Sequence, residues 1–515
     1  MGGRSNWIAL FALALATLVV GLDATVLNVA LPTISGDLNA TTSQLQWIVN
    51  AYVLALAATI LPAGVLADRY GRKRVLMAGL VIFFVGSLAG ALTSDANTLI
   101  AMRAVMGVGA AVITPIVMAL VPLMFDDNDR PKAVGSIAAA SSIGLPLGLI
   151  VGGYLLNNFA WHSIFWINVP IVIIAFTAVA FLVQESKAGT APRLDYFGAV
   201  TAIAGVVSLV YGFSEAPSNG WGSGETFAYI GIGIVLLAVF TVWQRRTSDP
   251  LIPLGLFSNR AFVGGTISVA LMMAVLYGLL FTLPQYLQEV RGNDALGTGI
   301  RLIPMMAGLM AASIWGRKLL VRFGASLTTA GGVLAIAVAL GALSFLSTDT
   351  NMIWIGLGLL VVGAGAGLSM TSAMNAVLGV LPRAEVGAGS AVTSTIRQIA
   401  GALGVAILGS ILSSVYRGDL DGATMNALPA QSSDTIKESI NGAMRVASGL
   451  GANGDAIRQM AASSYTDAMS VLLLICAGLG VIAAVVSVLI MRTPTQKGTE
   501  ALDTAAAPQL QEVLH

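Results

Sequence analysis

The chain holds one cysteine, Cys476, and two histidines, His162 and His515, among 515 residues. A single thiol excludes a disulfide framework and a thiolate metal site, so Cys476, set in an apolar run, reads as a small packing side chain. The histidines fall in a connecting segment and at the terminus. They leave no metal cluster and no nucleophile and base pair, and no enzyme is expected. No Gly-x4-Gly-Lys-Ser/Thr stretch occurs, so the chain has no Walker-type phosphate cradle and is not an ATP-driven pump by itself. Charge is also scarce. Only 10% of residues are charged, against roughly 25% in an ordinary soluble domain, which is too little polar surface for a fold in water. The net charge of +1 and the lack of a basic stripe argue against a nucleic-acid partner.

What the chain does have is apolar length. Hydrophobic residues make up 56% and glycines number 58, and the mean hydropathy is +0.85. Glycine suits membrane helices because it lets their backbones approach closely. The expected partner is the lipid bilayer. Crossing its hydrocarbon core takes about 20 apolar residues per helix. Candidate spans lie near 7 to 31, 45 to 63, 75 to 93, 98 to 120, 133 to 156 and 163 to 183, then 196 to 214 and 226 to 244. Six more lie near 261 to 282, 298 to 316, 326 to 346, 352 to 374, 389 to 415 and 467 to 491. The pattern is six, two, six, an all-α integral membrane protein with fourteen crossings. The predicted organisation is an N-terminal six-helix bundle in residues 1–184 and two inserted helices with linkers in 185–260. A C-terminal six-helix bundle follows in 261–491, with a long outer loop at 416–465 of short amphipathic helices, and then a disordered cytoplasmic tail at 492–515.

Lys and Arg in short loops mark the cytoplasmic side. With the N-terminus inside, that side collects Arg4, Arg69, Arg72, Lys73, Arg74, Arg130, Lys132, Lys187, Arg193, Arg245, Arg246 and Arg260. It also collects Arg317, Lys318, Arg322, Arg383, Arg492 and Lys497, which makes 18 of the 26 basic residues. Both termini are therefore expected to be cytoplasmic. A rival reading of the start is a cleaved signal peptide, since Arg4 precedes an apolar run containing Ala12-Leu13-Ala14. The run is longer than a typical signal core and continues through Asp23, which favours a retained first helix. Trp7, Trp47, Trp161, Trp221, Trp243 and Trp354 lie near span ends, where interfacial aromatic belts form.

The sharpest local signal is Gly64-Val-Leu-Ala-Asp68-Arg69-Tyr-Gly71-Arg72-Lys73-Arg74, placed between the second and third spans. Taken alone it reads equally well as a topogenic basic loop with a glycine turn. A degenerate echo, Arg317-Lys-Leu-Leu-Val321-Arg322-Phe-Gly324, occupies the corresponding place in the last block, as an internal duplication would leave it. The first motif resembles the loop signature of the major facilitator superfamily. Leu22-Asp23-Ala-Thr25-Val-Leu-Asn28-Val-Ala30-Leu-Pro32 is similar to the opening motif of its fourteen-helix drug:proton antiporter branch. Arg103 with Gly107, Gly109, Ala110 and Ala111 resembles the fourth-helix arginine motif. Gly144-xxx-Gly148-xxx-Gly152-Gly153 looks like the antiporter motif, departing at Leu149 where the family usually has proline. Small residues at that spacing also explain themselves as a close-packing stripe. Arg397-Gln398 before Gly401 and Gly404 looks like the branch as well.

Asp23 is the only acid well inside these spans, and an ionisable group there costs at least about 2.5 kcal/mol. Burial favours the neutral acid and a nearby cation favours the carboxylate. An aspartate whose surroundings change can therefore load and release a proton. Arg103 reaches a similar depth and is the expected partner or relay. The bland alternative is local hydrogen bonding of Asp23 beside Thr25 and Asn28. Asn28, Asn375, Arg397 and Gln398 are candidate cavity residues, with Thr371 and Ser372 beside Asn375, and each also reads as an interhelical contact. The resemblance implies a major facilitator fold with two bundles around a central cavity. It implies export of small amphipathic or lipophilic compounds, often cationic drugs, biocides or dyes, in exchange for protons, with no cofactor beyond the gradient. It further implies a monomer in a bacterial plasma membrane. Export of a self-made metabolite or lipid is the runner-up; a channel or a receptor-like membrane protein is a more distant alternative.

Overall fold

The computed structural model describes residues 3–491 apart from 126–128, 188–194, 248–249, 346, 348–349, 382–385, 421–424 and 426–427. The tail at 492–515 and the basic residues Arg193, Arg383, Arg492 and Lys497 lie outside the described residues, as do the side chains of Arg4, Asp68, Arg130 and Arg317.

Long apolar runs become helices because lipid offers no partner for backbone N–H and C=O groups, and a helix satisfies them internally. The first bundle comprises α1 (Gly3–Leu38), α2 (Thr42–Tyr70), α3 (Arg72–Leu92), α4 (Ala96–Met124), α5 (Arg130–Asn158), the short α6 (Ser163–Trp166) and α7 (Asn168–Leu182). Next come the inserted pair α8 (Tyr196–Asn219) and α9 (Gly224–Gln244). The second bundle holds α10 (Arg260–Gln285), α11 (Ala295–Leu343), α12 (Met352–Gly379), α13 (Val386–Asp419) and α16 (Asp455–Ile490). Two short helices, α14 (Ala430–Glu438) and α15 (Ile440–Gly449), precede α16. Thirteen segments among the described residues are long and apolar enough to cross a bilayer, with α11 supplying two, Ala295–Ser313 and Lys318–Leu343. The 29-residue α5, whose apolar stretch Leu147–Asn158 is shorter, brings the crossings to fourteen by its length. The protein is multi-pass, and an even number of crossings leaves the ends of α1 and α16 on one face, here called the terminal face; the other is the distal face.

Helix starts follow capping chemistry. Thr41 and Gln44 form a reciprocal box at α2, and Asp95, Asp195, Ser223, Asn259 and Asp294 accept N–H bonds at the starts of α4, α8, α9, α10 and α11. Several helices outrun the sequence reading. α1 reaches Leu38, α8 runs through Pro217 to Asn219, α10 runs through Pro284 into a π-helical turn at Tyr286–Val290, and α16 begins twelve residues before 467. Proline removes one donor without ending a helix whose neighbours hold it, and the π turn absorbs the disruption at Pro284. Glu215, Glu289 and Asp467 therefore also lie within helical segments, so Asp23 is not the only acid inside one. The outer segment shrinks from 416–465 to the stretch between Asp419 and Asp455. Trp161, expected as an interfacial anchor, is instead 1% exposed and packs against His162 and Phe165.

The motif read as a loop between the second and third spans is almost entirely helical. Only Gly71 separates α2 from α3, at φ 109. Its counterpart Gly324 also has positive φ, 77, and breaks α11 at the equivalent place. Left-handed backbone favours glycine, so both turns keep the residue the duplicated motif aligns.

The bundles meet at the distal face. Gly153 lies against Ala295 and Leu296, where a Cβ would come within 2.6 Å of the Leu296 Cα, and Gly299 is pressed to the Leu149 carbonyl. Asn157 donates to Asp294 and accepts from the Leu296 N–H at 3.4 Å, while Gln288 donates to the Val29 carbonyl at 2.9 Å. The α14–α15 strap adds Thr42 donating to the Glu438 carbonyl at 2.8 Å, and Arg445 donating to Asn39 and to the Gly36 carbonyl. The inserted pair packs glycine to leucine, Gly205 against Leu237 and Gly233 against Leu209. It docks between α2 and α13, with Ser410 donating to the Phe213 carbonyl at 2.7 Å.

Candidate functional site: a buried ion pair beside a central cavity

Asp23 stands near the midpoint of α1, 1% exposed, and Arg103 on α4 is 2% exposed. The Arg103 Nη1 donates to the Asp23 Oδ2 at 2.6 Å. The guanidinium also donates through Nε to the Ile48 carbonyl at 3.2 Å and lies 4.2 Å over the Tyr52 ring. The bland reading of Asp23, local bonding to Thr25 and Asn28, is not what is found. Thr25 turns back to the Leu22 carbonyl and Asn28 to the Ala24 carbonyl. Low dielectric strengthens such a pair and makes stranding either partner costly.

A third member was not legible beforehand. Asn168, at the start of α7 and fully buried, donates to Asp23 Oδ1 at 3.3 Å and to Ser87 Oγ at 3.2 Å, and Ser87 donates to the Phe165 carbonyl at 2.9 Å. The available signal was a lone amide opening an otherwise apolar run. The carboxylate of α1 is thus bonded directly from α4 and α7, while α2 holds Arg103 and α3 holds Asn168.

Arg103, though not Asp23, lines a central cavity of about 240 Å³. Thr25 and Asn28 of α1, Tyr52 of α2 and Arg103 supply one wall. Tyr277, Met273, Met305, Met306, Arg397 and Gln398 supply the other. Of the candidate cavity residues, the structure brings Asn28, Arg397 and Gln398 together there. Tyr277 donates to Gln398 at 3.3 Å. Asn375 is not among them: it lies about 18 Å along α12 from the cavity-lining Gly363, exposed and donating to the Thr371 carbonyl at 2.7 Å. Thr371 back-bonds to its own helix at Gly367, and Ser372 is buried. Methionine and tyrosine walls adapt to varied apolar shapes.

The α5 glycines seat α1. A Cβ on Gly144 would come within 2.8 Å of the Leu18 carbonyl, on Gly148 it would press Thr25, and on Gly152 it would meet Val26 at 2.6 Å. Thr25 and Val26 flank the turn after Asp23, so this stripe fixes the depth of the carboxylate. Leu149 is wholly buried in the distal seam.

At the α2–α3 turn, Gly64 stands in α2, Arg69 is exposed with its guanidinium 5.7 Å from the Tyr70 ring, and the Arg72 N–H donates to the Ser186 carbonyl at 2.9 Å. The carboxylate that organises the turn is Glu185, which the sequence reading passed over. It accepts from the Lys73 N–H at 3.0 Å and the Arg74 N–H at 3.3 Å, capping the positive end of α3, and lies 3.6 Å from Arg74 Nε. A Cβ on Gly71 would sit 2.5 Å from its Oε1. Lys73 Nζ donates to the Ala180 carbonyl at 2.6 Å. The turn is thereby tied to the end of the first bundle. Among the described residues no group of His, Cys, Asp and Glu is arranged to hold a metal ion.

Residues 13–405 match the family model of the Major Facilitator Superfamily. The puromycin resistance protein of Streptomyces alboniger is 33% identical over 411 residues, covering 79% of this chain and 82% of its own length. The multidrug efflux pump LfrA of Mycolicibacterium smegmatis is 31% identical over 445 residues, 86% of this chain and 88% of its own. Among solved structures, a bacterial homologue of the human lysosomal transporter Spinster, inward-facing and unoccupied, superposes with a TM-score of 0.68. It does so at 17% identity over 96% of this chain and 100% of its own. The glycine-hinged duplicate turns, the two bundles and these matches agree: the chain belongs to the Major Facilitator Superfamily.

Proposed function

We propose that the protein is a proton-coupled antiporter that exports small amphipathic or lipophilic compounds, lipophilic cations among them, by alternating access. The observation that carries this is the Asp23–Arg103 pair, sealed from water on one side and meeting the cavity through the guanidinium. Ionised Asp23 neutralises Arg103; a proton on Asp23 frees Arg103 to turn its charge on the cavity. The drug-resistance and efflux names of the relatives support a drug-like cargo. The basic residues of the loops that the sequence pattern puts on the terminal side support cytoplasmic termini, and the bacterial relatives support a bacterial plasma membrane. With that orientation, distal closure of the seam corresponds to a cavity reached from the cytoplasm. Arg397 and Gln398 contact cargo from the second bundle, each protomer encloses a complete cavity and acts as a monomer, and the proton gradient is the energy source.

The test is efflux of a fluorescent lipophilic cation from everted vesicles with and without a pH gradient, for wild type and Asp23→Asn. Gradient-dependent transport in wild type and none in Asp23→Asn, at equal expression, is the expected result. Transport by Asp23→Asn equal to wild type would overturn the coupling role.

A further inference from the structure

A second cavity lies beside the first, outside the bundles' central space. It measures about 110 Å³ and is lined by Leu54 and Ala57 of α2, Ala202 and Val206 of α8, Phe240 of α9 and Ile399 of α13, in the half nearer the terminal face. We propose that this chamber binds the apolar part of a membrane-dissolved substrate, which then reaches the central cavity by parting the α2–α13 seam.

Three observations carry this. The first is adjacency: Val53 and Gln398 line the central cavity, whereas the next residues in sequence, Leu54 and Ile399, line the chamber. The two spaces therefore lie on neighbouring faces of the same two helices, α2 and α13. The second is an orphaned hydroxyl. Thr395 lines the otherwise apolar chamber, is 7% exposed, and its Oγ1 has no hydrogen-bond partner. Two residues earlier on the same helix, Thr393 makes the usual bond to the carbonyl four residues back, at 2.9 Å. A buried hydroxyl left unpaired in an apolar wall is costly and selects a ligand with one hydrogen-bonding atom amid apolar surface. The third is the stretch of α2 that leads into the seam, where buried polar groups are also unsatisfied. Asn50 is wholly buried with neither amide atom partnered. Gln46, one turn before it and against Gly409 of α13, leaves its Oε1 unpaired. A contact carrying such debts opens more readily than a dry leucine seam.

Size sets the occupant. The chamber approaches the roughly 150 Å³ that accepts a benzene ring, so it takes a small ring or about four methylenes. The central cavity alone falls below the roughly 300–1,000 Å³ of drug-sized sites; joined to the chamber it enters that range. The occupant is the tail or ring of the transported amphiphile, entering from the bilayer past Ile203, which is 38% exposed at the rim.

The inference rests on the exporter reading, and the experiment separates the two. Everted vesicles are assayed with N-alkylpyridinium cations from methyl to hexyl, in wild type, Ala57→Leu and, on the opposite wall, Ala202→Leu. In wild type KM should fall roughly fourfold per methylene up to about four carbons. Either leucine should flatten that slope and leave the KM of the methyl compound unchanged; the second covers misfolding of the first. Thr395→Val should erase any preference for a 4-hydroxybutyl over a butyl chain. Equal slopes in wild type and both filled variants would overturn the chamber. So would a phospholipid that co-purifies with wild type, is lost from Ala57→Leu, and changes no KM slope. If no member of the series, hexyl included, shows gradient-driven transport in wild type, the exporter reading fails on its own. Equilibrium dialysis of butylpyridinium with purified protein then still decides the chamber, by loss of binding in Ala57→Leu.

Discussion

Replacing Asp23 by asparagine leaves an oxygen for the Asn168 amide and removes the charge opposite Arg103. The guanidinium is 2% exposed, with its remaining bond to the Ile48 carbonyl and its face on Tyr52. Breaking a buried pair from one side costs about 3–5 kcal/mol because the surviving charge is uncompensated. The two sides are unequal. A guanidinium keeps its proton in proteins, whereas a stranded carboxylate becomes neutral by taking one up from solvent. Asp23→Asn should therefore destabilise the protein by the full amount and Arg103→Met by clearly less. The double variant, with no charge left to strand, should regain most of the loss. Thermal unfolding in detergent, followed by tryptophan fluorescence, ranks the three, and everted-vesicle efflux on the same preparations separates stability from coupling. Equal losses for the two single variants, or a double variant worse than Asp23→Asn, would refute an ion pair as the determinant.

Gly71→Ala and Gly324→Ala both force an L side chain into positive φ, at about 1–3 kcal/mol each, but only Gly71 also abuts Glu185. Gly71→Ala should cost more, and Glu185→Ala, which removes the abutting group, should narrow the difference in melting temperature. Gly299→Ala presses the Leu149 carbonyl across the distal seam, an overpacking of about 1–3 kcal/mol. It should raise the reactivity of Asn28→Cys, in a Cys476→Ser background, toward an impermeant thiol reagent added from the distal side. Asp294 lies below the usual carboxylate range because the Gly297 N–H, and then the Asn157 amide, bond its charged form. A depressed value means these bonds are intact above the ordinary carboxylate range and are lost only as pH falls through the lowered one. Asp294→Asn should thus leave the pH profile of transport unmoved between about pH 5 and 8, and a shifted profile would place coupling at the seam. Arg397 has no ion-pair partner among the described contacts, and Arg397→Gln should lower KM for lipophilic cations; an unchanged KM would remove it from the cargo site.

The crossings were legible because hydropathy over twenty residues is a bulk property, and errors of a turn at either end leave it intact. Asp23 and Arg103 were legible for the opposite reason: a charge in lipid is so costly that its residue type announces it. Asn168 and Glu185 were not. A neutral amide at a helix start and a carboxylate near a basic loop are ordinary in sequence. Their roles depend on α7 crossing α1 and on the end of the first bundle folding back to α3, which no local spacing encodes. Helix ends were missed where Pro217 and Pro284 fall, since the backbone group that proline removes is tolerated only when neighbouring helices hold the turn. Asn375 failed as a cavity residue through depth along α12, which hydropathy does not resolve.

Every partner of Asp23 belongs to the first bundle, while Tyr277, Arg397 and Gln398 belong to the second. A proton on Asp23 therefore has no direct contact through which to reach the second bundle. What it has is Arg103, whose guanidinium is both the pair's cation and part of the cavity wall. On the antiporter reading, protonation adds a second positive charge to a cavity that already holds Arg397. A cationic cargo about 8 Å away at an effective dielectric near 20 meets roughly 2 kcal/mol of extra repulsion, and linkage requires the bound cargo to disfavour the proton by the same factor, about 30-fold. Mutual exclusion of that size is what exchange needs, and it arises from one arginine shared between two sites without any relay between the bundles.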